Sequence, residues 1–75
     1  MATIGGVITL VQEDRFKLAG DDGRRRQFIL FRRARTGISD LQDLERSRRH
    51  VKVRYRPALG LLADIAEAVD EEPMA

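Results

Sequence analysis

The sequence predicts a mainly β domain: a small five-stranded barrel with one short helix between its third and fourth strands. Three observations predict it. Two strand-like runs, RFKLA and RRRQFILF, flank the turn signal Asp22-Gly23. A helix signal, SDLQDLERSRR, is followed at once by another alternating run, HVKVRYR. One apolar stretch precedes this block and one follows it, so the order reads three strands, a helix and two strands.

The first strand is placed at Ile4 to Val11, with Val7, Thr9 and Val11 on one face and Ile4, Ile8 and Leu10 on the other. Apolar residues on both faces mark a central or closing strand rather than an edge, and Gly5-Gly6 offers a bulge or tight bend. A phosphate-cradling role for these glycines lacks the required preceding strand and following helix. Gln12 to Asp14 is a tight polar connection. In the second strand, Arg15 to Ala19, Phe16 and Leu18 face inward while Arg15 and Lys17 face solvent. Asp22-Gly23 is then expected at the two central positions of a type I′ turn.

The third strand is expected over Arg26 to Arg33. By analogy with Phe16 and Leu18, Phe28 and Leu30 go inside, which leaves Phe31 as a surface aromatic next to Arg32 and Arg33, or as a ring buried beneath the helix or at a subunit interface. Ser39 with Gln42 matches a capping box. Asp40 and Asp43 suit the positive start of the helix, and Arg48 and Arg49 its negative end. Only Leu41 and Leu44 form an apolar face, enough to plug a barrel end. In the fourth strand, His50 to Arg56, Val51, Val53 and Tyr55 face inward and His50, Lys52, Arg54 and Arg56 outward.

Pro57 to Gly60 ends that strand. Leu61 to Val69 fits a helix by composition and a strand by the shared face of Leu61, Ala63, Ile65 and Val69. It is read as the fifth strand, because four strands would leave an edge uncovered. If it were helical, a similar SH3-like barrel is the alternative. Residues 70–75 read as an acidic tail.

Composition bounds the function. Seventy-five residues form one domain, which buries only roughly 60–65% of its unfolded surface. With no cysteine, disulfides and thiolate metal sites are excluded, a cytoplasmic setting is expected, and no signal peptide or membrane span is read. The net charge of +2 hides an uneven distribution. Residues 1–23 hold two basic and four acidic side chains, residues 24–56 twelve and three, and residues 57–75 none and five, for segment charges of −2, +9 and −5. Such asymmetry points to anionic partners, nucleic acid first. The opposing reading is that basic and acidic segments neutralise each other across strand pairs, or that twelve arginines against two lysines reflect codon usage.

The order of elements, with a GxVxxV-like spacing at Gly5 to Leu10, FKL at Phe16 to Leu18, DDG at Asp21 to Gly23, FIL at Phe28 to Leu30 and VKVRY at Val51 to Tyr55, resembles the OB-fold. The resemblance covers Ile4 to Val69 and lies in architecture. In size and layout the chain is similar to the one-domain bacterial translation initiation factor and to cold-shock proteins, whose second and third strands bind RNA or single-stranded DNA. The paired aromatic RNA-binding motifs of cold-shock proteins are absent.

The expected function is therefore binding of single-stranded RNA or DNA through Arg24, Arg25, Arg26, Phe31, Lys52 and Arg54. Arginine both pairs with phosphate and stacks on bases. The alternative is a structural or protein-interaction domain, as a homodimer or with an acidic protein partner. An enzyme is not expected: His50 is the single histidine, and Ser47, three residues before it, lacks a third orienting group. No cofactor is expected, and Asp21-Asp22 and Glu71-Glu72 lack the ligand spacing of a calcium loop.

Overall fold

The computed structural model describes residues 2–58 and 63–72. Its elements are β1 (Ala2–Gln12), β2 (Arg15–Gly20), β3 (Arg25–Leu30), α1 (Ile38–Ser47), β4 (His50–Arg56) and β5 (Asp64–Glu71). The strands close into a barrel in the order β1-β2-β3-β5-β4. β1 pairs antiparallel with both β2 and β4, and the seam is closed by a short parallel pairing of β3 with β5, Phe28 to Leu30 against Asp64 to Ala66. This arrangement is consistent with an OB-like architecture and excludes the helical alternative for the fifth element. Among the described residues every strand has two neighbours, so none of the five strands is an edge strand.

Alternation decides which residues fill the barrel. Phe16, Leu18, Phe28, Leu30, Val51 and Val53 are buried, as their spacing requires, with Ile8, Leu41, Ala66 and Val69. The rings of Phe16 and Phe28 lie 5.3 Å apart between centroids, and Phe28 and Tyr55 stand edge-on at 5.3 Å, so three aromatics from β2, β3 and β4 meet inside. Leu41 brings α1 into the core where β3 ends and β4 begins, and Leu44 packs beside it.

Several expectations are corrected. The bulge in β1 is at Thr9, not at Gly5-Gly6: Ile8 pairs with Leu18 and Leu10 with Lys17, leaving Thr9 as the extra residue. The inward face therefore changes from Ile4, Gly6 and Ile8 to Val11, which packs against the core, while Leu10 is displaced outward of it. A second bulge lies on β5, where Arg54 pairs with Ala68 and Tyr55 with Ala66, leaving Glu67 extra. It brings Ala66 and Val69 inward and leaves Ala63 and Ile65 half-buried. Leu61 and the Pro57–Gly60 break extend beyond the described residues. The acidic end is not all tail: Asp70 and Glu71 belong to β5, and the Glu72 N–H donates to the His50 carbonyl.

The β2–β3 turn also differs. Only Gly23 takes a positive φ, at 83°; Gly23 N–H bonds to the Gly20 carbonyl and Gly20 N–H to that of Arg24. Asp21, Asp22 and Gly23 thus form a three-residue loop ending in a left-handed glycine rather than a two-residue type I′ turn. β3 ends at Leu30 rather than Arg33, because the Ala34 N–H turns back to the Phe31 carbonyl. Ser39 is not the N-cap of α1. Gly37 occupies that position, and the Asp40 carboxylate accepts from its N–H at 2.9 Å, half of a capping box built two residues earlier than Ser39 and Gln42 suggested. Arg48 closes the helix at φ 53°, its N–H bonded to the Leu44 carbonyl.

Candidate functional site

Strand pairing sorts the basic residues onto two surfaces. On the outer side of β1-β2-β3, Gln12 stands beside Arg15 and Arg15 beside Ile29; Leu10 stands beside Lys17 and Lys17 beside Gln27; Val7 stands beside Ala19 and Ala19 beside Arg25. Arg24 is exposed where the hairpin loop meets β3. Leu10, Gln12, Arg15, Phe16, Lys17 and Gln27 line a shallow hollow of about 180 Å³ on this face. Among the described residues, none of Arg15, Lys17, Arg24 and Arg25 takes part in an ion pair.

The second basic row, on β4, faces elsewhere. β1 separates it from β2 on one side and β3 and β5 on the other. Here the acidic end of the chain lies alongside: Lys52 is opposite Asp70, Arg54 opposite Ala68, and Arg56 Nε is 3.4 Å from Glu67 Oε1. Arg49 pairs with Glu71 at the end of the same strands, and that hydrogen bond holds its guanidinium above the ordinary arginine range. One ion pair, Arg56–Glu67, thus crosses from β4 to β5 and a second, Arg49–Glu71, lies at their end, while Lys52 and Arg54 have no ion pair among the described residues.

The six residues singled out from the sequence do not form one site. Arg24 and Arg25 lie with Arg15 and Lys17. Arg26 pairs with buried Leu18 and has its guanidinium 5.9 Å from the centre of the Tyr55 ring, at an end of the barrel. Its Nη2 is 3.2 Å from Asp22 Oδ2, while its Nε is buried without a partner. The bond to Asp22 raises its already high pKa, against the opposing effect of burial. Arg26 therefore holds the hairpin to the barrel. Phe31, half-buried, lies with Arg54 on the other surface, and Arg56 rather than Arg32 or Arg33 sits over its ring, at 5.7 Å. Gln12, Gln27 and Leu10 were not singled out. Gln27 was legible as an outward position in β3 alternation, but Gln12 was read as part of a connection rather than the end of β1, and Leu10 becomes part of this face only through the Thr9 bulge.

Asp22 fixes the hairpin tip. Its carboxylate accepts from the Arg24 N–H at 3.0 Å and from Arg26, and these bonds, the backbone one first, hold its pKa below 3.8. A carboxyl with a depressed folded-state pKa adds stability above its unfolded pKa and loses it as pH falls through the folded value. In acid titrations followed by circular dichroism, Asp22→Asn should remove this contribution near neutral pH. Its stability should then change less than that of the parent as pH falls below about 4.

Asp21 reaches His50 over Gly5, with His50 Nε2 and Asp21 Oδ2 2.7 Å apart, so the single histidine ties the hairpin loop to β4. Ser47 Oγ bonds instead to the Leu44 carbonyl of its own helix. Among the described residues no group of three or more histidine, cysteine, aspartate or glutamate side chains could hold a metal ion, and no helix is long and apolar enough to cross a membrane. No family model, no curated protein and no solved structure matches the chain.

Proposed function

We propose that the protein is a small binding module for single-stranded nucleic acid, RNA or DNA, which it engages through the outer face of β1-β2-β3. The observation that carries this reading is that Arg15, Lys17, Arg24 and Arg25 share that face without an ion pair among the described residues, while on β4 Arg56 pairs with Glu67 and Lys52 stands opposite Asp70. Unneutralised cations on a sheet follow a phosphate backbone and release its counterions. Gln12 and Gln27 add neutral donors and acceptors between them, and arginine planes can serve as stacking surfaces where aromatic rings are lacking. The OB-fold resemblance points to the same part of the barrel, the second and third strands, as the ligand-binding face. A protein of this kind, without cysteine, suits the cytoplasm.

Four phosphate contacts predict a salt slope of about −3 for a single strand, so affinity should fall roughly fiftyfold between 50 and 200 mM salt. Fluorescence anisotropy with labelled RNA and DNA oligomers measures this. The triple variant Arg15→Ala, Lys17→Ala, Arg25→Ala should reduce the slope to about −1 and abolish most binding, while Arg46→Ala, on the exposed side of α1, should change neither. Failure of both oligomers to bind at low salt would reject the reading in favour of a protein-docking role, with a second copy of the chain or an acidic protein segment as the partner.

A further inference from the structure

The hollow at the far end of β3 is not used by the face just described. It is lined by Phe31, Arg33, Ala34, Arg35, Thr36, Arg54, Glu67, Ala68 and Asp70 and measures about 320 Å³, within the range of small-ligand sites. Its parts come from three places that only the closed barrel brings together: the segment after β3, the middle of β4, and β5 around its bulge. The Phe31 N–H bonds to the Ala66 carbonyl, which continues the β3–β5 pairing one residue past the strand and sets the ring on the outer side. Arg56 lies over that ring and is tied to Glu67, so two residues that line the hollow, Phe31 and Glu67, are held by one guanidinium. Arg33, Arg35 and Arg54 have no ion pair among the described residues, and neither has Asp70.

We propose that this hollow is a nucleotide subsite with a preference for guanine. The inference rests on the nucleic-acid reading above and extends it to a second position on the strand. The Phe31 ring, held by Arg56, supplies a planar wall for a base, the two alanines leave room beside it, and Arg33, Arg35 and Arg54 supply charge for the phosphate. Asp70 supplies what a purely basic groove lacks, an acceptor-only group. Guanine offers two adjacent N–H donors, from N1 and N2, that match the two oxygens of one carboxylate; adenine and cytosine offer one amino group, and uracil a single N–H between two repelling carbonyls. The outer positions of β3 lead here from the basic face, since Arg25 and Phe31 stand about 20 Å apart along an extended chain.

The test is a titration of the full ¹⁵N-labelled chain with the 5′-monophosphates of guanosine, adenosine, cytidine and uridine, followed by amide shifts. The expected result is movement of the amides of Phe31, Ala34, Arg35, Thr36, Ala68 and Asp70, with the guanosine nucleotide binding about tenfold more tightly than the uridine one. Asp70→Asn should remove that ranking without changing uridine affinity, and the double variant Arg33→Ala, Arg35→Ala should weaken all four alike. Unmoved amides in the hollow, or binding without a ranking that depends on Asp70, would overturn the proposal. Oligomers that bind β1-β2-β3 while the hollow ignores every mononucleotide would overturn the subsite alone. A hollow that ranks mononucleotides in a chain that binds no oligomer would uphold the pocket and reject the strand-binding function.

Discussion

Gly6→Ala should unfold the barrel or come close to it. A Cβ at position 6 would lie 2.3 Å from the Ala19 carbonyl oxygen and 3.0 Å from the Gly20 Cα, both backbone atoms of β2. Position 6 is fixed from two sides, paired with Gly20 in β2 and with Val51 in β4, so β1 cannot retreat from one neighbour without pressing on the other. Overpacking of this kind costs about 1–3 kcal/mol where side chains can give way and more where the backbone must move. A domain of this size has little stability in reserve. Urea denaturation followed by circular dichroism should show a loss of more than about 3 kcal/mol, or no folded baseline. Gly5→Ala makes the comparison informative. There the new Cβ meets the Asp21 carboxylate at 2.5 Å and the His50 ring at 2.9 Å, both free ends of side chains that can swing aside, so the loss should be clearly smaller. Equal stability for Gly6→Ala and the parent would mean that β1 and β2 are not in this register.

The contrast between the two glycines shows what the sequence carries and what it does not. A Gly-Gly pair in a strand signals a bulge or a close approach, and the chemistry of the pair is the same in either case. The structure makes Gly6 the close approach and puts the bulge at Thr9, a residue without any local signature of one. The same holds for Glu67. β2 and β4 were legible because each alternates strictly; β3 was legible from the hairpin turn before it and by analogy with Phe16 and Leu18, while its end, inside an unbroken apolar run, was not. β5 was ambiguous because its small and acidic residues satisfy helix and strand alike, and what decides the matter is the open seam between β3 and β4. Its inward residues then changed with the bulge, so Ala66 was missed while Val69 was found.

Charge was legible as a quantity and not as a place. The totals for the three segments follow from the sequence, but whether a carboxylate neutralises a given arginine depends on which strand β5 lies beside. The insertion of β5 between β3 and β4 puts Glu67 and Asp70 next to the β4 row and leaves β2 uncovered. Lys52 and Arg54 therefore part company with Arg24 and Arg25. Arg26 departs for a different reason: in an alternating strand it falls on the same side as Phe28, and a run of three arginines cannot keep all three on one face.

Phe28→Ala should produce the second large loss. The side chain is fully buried, touches Phe16 on one side and Tyr55 on the other, and belongs to the strand that joins the antiparallel part of the barrel to the parallel seam. Truncating a buried phenylalanine costs about 3–5 kcal/mol, part from lost transfer energy and part from the cavity left behind. The loss of two aromatic pairs puts this site toward the upper end of that range. Phe28→Leu keeps most of the volume and should cost less. Both can be read from urea midpoints, with the fluorescence of Tyr55, the single tyrosine in a chain without tryptophan, as a second probe of the same core. The variant also separates fold from function. Arg25 and Gln27 are held outward because Phe28 is held inward, so oligomer binding by Phe28→Ala should fall in proportion to the unfolded fraction and keep the parent's salt slope in what remains folded. In the triple variant of Arg15, Lys17 and Arg25, the urea midpoint should stay near the parent's while the salt slope collapses. The opposite pairing of results would place the binding in the unfolded chain's charge rather than on the face of the barrel.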